Sequence, residues 1–120
     1  MRPALPLIDV LEKDWERQVI DLAKVCGWTF RYHVLRSKGS AAGFPDWVMI
    51  RDRVLYLELK REQSSLSPDQ VKWIRALVDA QAEVYVCRPR HLDDLAQVLQ
   101  ARGRSLITPM LEETLALVGL

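Results

Sequence analysis

A chain of 120 residues with a formal charge of +1 is long enough for one hydrophobic core and too short for two. With 49% hydrophobic and 28% charged residues it has the make-up of an ordinary globular domain, and no apolar stretch approaches the roughly 20 residues of a membrane span. Near-neutrality means that bulk charge does not announce a nucleic-acid partner. Met1-Arg2-Pro3-Ala4-Leu5-Pro6 lacks the apolar core and cleavage site of a signal peptide, so the cytoplasm is the expected compartment. Cys26 and Cys87 form neither a zinc pair nor a Cys-x-x-Cys unit and read as buried thiols. His33 and His91 are too isolated in sequence to argue for a histidine metal site.

The first element is a helix from Asp9 to Cys26. Asp9 can cap it, Glu12 occupies the capping-box position three residues on, and Gly27 stops it. Leu11, Trp15, Val19, Leu22 and Cys26 form its apolar stripe. Trp28 to Leu35 reads as a strand, and Ser37 to Gly43 as a small-residue loop able to admit a ligand. Trp47-Val48-Met49-Ile50 and Val54-Leu55-Tyr56-Leu57 are strand-like runs flanking Arg51-Asp52-Arg53, a hairpin. Ser67-Pro68-Asp69-Gln70 opens a second helix, with Ser67 as N-cap, Pro68 in the first turn and Gln70 closing a capping box. Glu83 to Cys87 is a strand, and His91 to Ala101 a helix ended by Gly103. Ser105 to Thr108 is a short extended piece, and Pro109 starts a last helix through Leu117. The passage from strand through helix to strand suits a parallel crossover, so the sheet is expected to be mixed. The chain reads as one α/β domain, a core of about 9–102 and a helical tail of about 105–120, with a central mixed β-sheet flanked by helices.

The hairpin carries the chemistry. If Arg51-Asp52-Arg53 is a three-residue turn, Ile50 faces Val54 and Asp46 faces Glu58, with Cβ atoms roughly 4.5–5.5 Å apart. Glu58 and Lys60, two apart on one strand, point to the same face. A two-residue turn would place Asp46 opposite Leu59 and scatter the three groups. Two carboxylates and a lysine can hold a divalent metal and steer water at a phosphodiester. Each has a plainer reading. Asp46 follows a proline, as turn aspartates do, and Lys60 could be a solvated strand-end lysine. Glu58 lies in an apolar run, where a carboxylate is costly without a partner; a metal or Lys60 could be that partner. Oxygen donors without thiolate or imidazole point to Mg²⁺, with Mn²⁺ as substitute.

Basic residues cluster around the hairpin, with Arg31, Arg36 and Lys38 before Asp46, Arg51 and Arg53 in the turn, and Lys60 and Arg61 after Glu58. Arg88, Arg90, Arg102 and Arg104 form a later cluster. Phosphate contact and ordinary solvated surface both fit such patches.

Gly43-Phe44-Pro45-Asp46, Leu57-Glu58-Leu59-Lys60, Leu66-Ser67-Pro68-Asp69-Gln70 and Trp73 together resemble the VRR-NUC branch of the PD-(D/E)xK nucleases. Leu11-Glu12-Lys13-Asp14-Trp15 with Val19, Ala23 and Gly27-Trp28 is similar to the helix preceding that family's core, and Glu83-Val84-Tyr85-Val86 to its closing strand. The resemblance spans roughly residues 9–100. It implies a restriction-endonuclease-like core and a metal-dependent endonuclease. Stand-alone members of this size, from phages and bacteria, form homodimers and act on branched DNA such as Holliday junctions. Asp46, Glu58 and the Leu59 carbonyl are then the expected metal ligands, with Glu12 contributing directly or through water and Lys60 acting on the attacking water. Glu12 also reads as its own helix cap, with Glu16 one turn on as the rival ligand. Gln70 reads either as a capping partner or as a residue at the metal site. Arg36, Lys38, Ser40, Arg61 and Arg88 are the expected DNA contacts. The valine-arginine-arginine string that names the family is absent, Cys87-Arg88-Pro89-Arg90 standing after Val86. Other readings are a flap or restriction-like nuclease, and a non-catalytic DNA-binding or assembly module.

Overall fold

In the computed structural model, residues 10–35, 39–104 and 107–120 are described. The elements are α1 (Glu12–Val25), β1 (Phe30–His33), β2 (Trp47–Ile50), β3 (Val54–Leu59), α2 (Pro68–Asp79), β4 (Glu83–Cys87), α3 (Leu92–Gln100) and α4 (Pro109–Leu117), with a single 3-10 turn at Pro89–His91 before α3. The four strands lie in the order β1-β2-β3-β4. β1 and β2 are antiparallel, as are β2 and β3, whereas β4 joins β3 in parallel through α2. The sheet is mixed and flanked by helices, as the strand–helix–strand order predicts.

The hairpin register is the expected one. Trp47 pairs with Leu57 and Ile50 with Val54, so Arg51-Asp52-Arg53 is a three-residue turn and Asp46 lies opposite Glu58 one step beyond the ladder. The turn is tied to two helix ends. Arg51 Nη1 donates to the carbonyls of Cys26 (2.9 Å) and Leu99 (2.6 Å), and Arg51 Nη2 to that of Ala101 (2.6 Å). Arg53 reaches the Val98 carbonyl at 2.9 Å and the Ala101 carbonyl at 3.0 Å. Both guanidiniums also lie over the Trp28 ring, at 4.6 and 5.1 Å from its centroid. The last carbonyls of a helix lack internal partners and carry partial negative charge, which is why arginine suits them. Asp52 accepts from the Gly103 N–H at 2.8 Å. That bond and Arg51 hold the Asp52 carboxyl well below the usual carboxylate range. The turn arginines, candidates for phosphate contact on sequence, are therefore spent inside the fold.

Two cores sandwich the sheet. Trp15, Val19 and Ala23 of α1 and Leu95, Val98 and Leu99 of α3 cover one face, packed on Met49, Leu55, Leu57 and Tyr85. On the other face, Ile74 of α2 packs on Val84 and Val86. The buried indoles of Trp15 and Trp28 donate to the carbonyls of Cys87 (3.0 Å) and Leu99 (2.9 Å), which satisfies their N–H groups. α1 begins later than expected. Its N-cap is Leu11, with no side-chain cap, so Glu12 is the first helical residue and closes no capping box; Asp9 lies outside the described residues. Leu11, expected in the stripe, is 47% exposed, and Ala23 is buried in the helix instead. α2 matches expectation in full, with Ser67 and Gln70 forming the capping box.

α4 closes the edge of β4. The Val86 N–H, at the buried sheet edge, donates to Thr114 Oγ1 at 2.9 Å, so a side chain replaces a neighbouring strand. Thr108 caps the helix by accepting from the Leu111 N–H at 3.2 Å. Glu113 holds α4 to the turn before α3 through Arg90 (2.5 Å) and His91 Nε2. His91 Nδ1 accepts from the Arg88 N–H, so the ring proton sits on Nε2 and donates to Glu113. Partial burial pushes the Glu113 carboxyl up, but the bonds from Arg90 and His91 outweigh it and hold it below its ordinary range.

Arg53 also forms an ion pair at 2.6 Å with Glu83, whose side chain is 4% exposed, and Tyr85 Oη donates to the same carboxylate. Removing one partner of a buried pair strands the other, so Arg53→Ala is expected to lower stability by about 3–5 kcal/mol in urea unfolding. A loss below about 1 kcal/mol, the scale of a surface pair, would refute the role. A second expectation concerns acid. A carboxylate with a depressed folded pKa stabilises the fold above its unfolded value, about 4.3 for Glu, and that contribution is lost as pH falls through the folded value. Thermal melts between pH 7 and pH 3 should therefore fall less for Glu113→Gln than for the parent. Parallel curves would rule the latch out.

Candidate active site

The loop before β2 and the N-terminus of α2 enclose a groove of about 560 Å³ at the C-terminal end of β3. Asp46 and Lys60 line it, with Ser67, Asp69 and Gln70 of the α2 start on the facing wall. The Gly43-Phe44-Pro45-Asp46 motif owes its shape to contacts with α2 and β3. Gly43 has φ +89, and a Cβ there would sit 2.4 Å from the Asp69 carbonyl carbon, so only glycine fits. Phe44 packs edge-on against Trp73 (5.1 Å) and Tyr56 (6.1 Å), and Pro45 is buried.

These contacts deliver Asp46 to the groove. Its Oδ2 accepts from the Leu59 N–H at 2.8 Å, and its carbonyl accepts from the Val34 N–H at 2.8 Å. Glu58 is 1% exposed, and its Oε2 accepts from Gln70 Nε2 at 3.3 Å. The Gln70 Oε1 accepts from the Ser67 N–H at 2.9 Å. Gln70 is the capping partner that the sequence suggests, and the other end of its amide bonds Glu58. A helix built by an unambiguous capping box carries the site's amide as part of that box.

A second groove of about 370 Å³ meets the first at Asp46, with Glu12, Glu16 and His33 on its walls. Here the rivalry between Glu12 and Glu16 separates. Glu16 Oε2 accepts from the Trp47 indole at 3.1 Å and lies 3.5 Å from His33 Nε2. Glu12, one turn earlier and exposed, has no such engagement among the described residues. His33, isolated in sequence, stacks on Trp47 with ring centroids 4.4 Å apart. The signal for this cluster is the β1–β2 register, which no short turn announces.

The expected DNA contacts fare unevenly. Ser40 lines the first groove and is exposed. Arg61 is partly buried and donates to the Val10 carbonyl at 3.2 Å. Arg36 and Lys38 lie outside the described residues. Arg88 does not fit the expectation. It is 7% exposed, and its Nη1 donates to the carbonyls of Arg61 (2.6 Å), Glu62 (3.3 Å) and Ser64 (2.7 Å), holding the loop after β3. Burial also depresses its pKa, the mark of a structural guanidinium.

The model of the VRR-NUC domain family matches residues 14–91. The chain belongs to the VRR-NUC family. Comparison with curated proteins and with solved structures gave no match. A VRR-NUC domain is a nuclease acting on DNA, and the mixed sheet with flanking helices is its restriction-endonuclease-like core. The matched stretch takes in both grooves except Glu12 and Lys13, and leaves α3 and α4 beyond it. No described helix is long and apolar enough to cross a membrane.

A divalent cation fits the donors of the VRR-NUC site. Among the described residues no three Asp, Glu, His or Cys side chains gather as a ligand cluster. Asp46 lines the groove, and the buried Glu58 of β3, held by the groove residue Gln70, would supply a second carboxylate and Leu59 its carbonyl. Mg²⁺ commonly takes one or two carboxylates and fills its shell with water and phosphate oxygens. All the donors are hard oxygens.

The motif glycine allows a direct test of how this wall is held. Gly43→Ala forces a clash with backbone and a strained φ, so it is expected to cost about 1–3 kcal/mol in denaturant unfolding and to reduce DNA cleavage. Wild-type values for both would show that the loop does not depend on its seat against Asp69.

Proposed function

We propose that this VRR-NUC domain is a Mg²⁺- or Mn²⁺-dependent endonuclease that hydrolyses phosphodiester bonds in branched DNA and works as a homodimer. The observation that carries the reading is that Asp46 and Lys60 line one groove, with buried Glu58 behind it bonded to the groove residue Gln70, in the register set by the three-residue turn. In this reading Asp46, Glu58 and the Leu59 carbonyl hold the cation, with Glu12 reaching it through water. A bound cation supplies Lewis acidity toward the phosphate and a lowered pKa for water.

The chain's own groups do the rest. Gln70 fixes the Glu58 carboxylate through its amide, so that the ligand need not reorganise. The Leu59 N–H orients Asp46 by holding Oδ2, which leaves Oδ1 to serve as a ligand. Lys60 places a positive charge where the attacking water and the developing phosphorane charge lie, and preorganised charge of that kind favours the transition state over the ground state. Ser40, Arg61, Arg36 and Lys38 are the residues assigned to the DNA backbone; Arg88 is withdrawn from that set by its burial. One subunit with a net charge of +1 grips DNA weakly, and a two-fold dimer doubles the contacts and brings two sites to two strands.

Labelled four-way junction, flap and plain duplex, each incubated with Mg²⁺ or Mn²⁺, test the reading. Metal-dependent cleavage of the junction by a species of dimer mass is expected. Lys60→Ala should lower the cleavage rate about 10²–10³-fold while leaving DNA binding in place. Binding without cleavage of any of the three substrates would sink the enzymatic reading, and cutting of the flap alone would replace junctions by flaps.

A further inference from the structure

We infer that Glu16 and His33 are positioning residues for Asp46, acting through the Trp47 ring that they hold between them. The inference rests on the reading of Asp46 as a metal ligand. Asp46 is the residue immediately before β2, one step beyond the ladder, where its direction depends on few contacts. Two anchors take over there. The Val34 N–H holds the Asp46 carbonyl at 2.8 Å. The adjoining Trp47 is held face-on by His33, its cross-strand partner, with ring planes 2° from parallel. Its indole N–H is held from α1 by Glu16 Oε2 at 3.1 Å. The same oxygen lies 3.5 Å from His33 Nε2, so one carboxylate faces both rings.

Stability is a poor explanation for this arrangement. The Glu16 and His33 side chains are 34% and 38% exposed, and a pair so wet adds little to folding. Its place is telling instead, on the wall of the second groove where that groove meets Asp46. The brace also explains why α1 carries two glutamates one turn apart. Glu16 is engaged with the rings, and Glu12 remains to face the groove. With the ring unanchored, the start of β2 is free to shift, and a shift there misdirects the Asp46 carboxylate. Outer-shell partners of this sort are worth about 10–100-fold in metal affinity or activity.

The test uses the full chain and Mn²⁺ as the probe, with affinity read by titration, cleavage read as kcat and KM, and thermal melts as the folding control. Glu16→Ala and Trp47→Phe, the second keeping a ring for His33 but losing the indole N–H, are each expected to weaken Mn²⁺ binding at least about tenfold. Both should lower kcat with KM for DNA within twofold. Glu16→Gln, whose amide oxygen can accept the same N–H, should restore both. If Glu16→Gln is as impaired as Glu16→Ala, the charge of Glu16 matters rather than its hold on Trp47, and the inference falls. If Glu16→Ala and Trp47→Phe bind Mn²⁺ like the parent while Asp46→Asn does not, the brace is refuted and the metal reading of Asp46 stands. If Asp46→Asn itself binds like the parent, the metal reading of Asp46 is refuted, and the brace with it.

Discussion

The nuclease site depends on a clamp at the opposite end of the hairpin. Antiparallel pairing allows any register, and a slip of one residue would turn Glu58 and Lys60 away from Asp46. Arg51, Asp52 and Arg53 remove that freedom by binding the ends of α1 and α3, with Trp28 beneath both guanidiniums. The three turn residues occupy fixed points on the helical layer, so the strands leave the turn in one phase. Charge that might have served DNA is used to fix the register of the hairpin.

From that register the groove is assembled by α2. Its first two turns contribute the backbone on which Gly43 rests, the Trp73 ring that receives Phe44, and the Gln70 amide that reaches Glu58. A buried carboxylate is costly to desolvate and is tolerated when donors are fixed around it. The capping box fixes Gln70 by its oxygen, so its nitrogen arrives at Glu58 already oriented. Helix initiation and the hold on Glu58 are thus one set of bonds. α4 has a separate task, sealing the β4 edge through Thr114 and leaving the sheet without an exposed strand on that side.

Much of this could be read from residue order. The capping box at Ser67 and Gln70, the hairpin turn with its register, and the parallel crossover all follow from short-range rules, and short-range rules hold where the partners are few residues apart. The misreadings share the opposite character. Arg88 looked like a phosphate ligand because its neighbours in sequence are basic, yet its partners are three carbonyls more than 20 residues away. Glu12 looked like a capping-box residue because Asp9 stands three before it, but α1 starts at Glu12 itself. His33 looked isolated because Glu16 and Trp47 lie on other elements.

The sequence by itself determined the element order, the pairing of the two hairpin strands, the mixed sheet and the family. Periodicity, caps and turn length are local, and each is written in consecutive residues. Tertiary structure alone decided which charges are spent on structure and which face the groove. It placed Arg51, Arg53 and Arg88 on backbone carbonyls, set Glu16 against Trp47 while Glu12 stayed open, and let one amide serve both α2 and Glu58. The physical reason is that a long polar side chain goes to whichever unsatisfied backbone or carboxylate group packing brings within reach, and packing joins residues far apart in the chain.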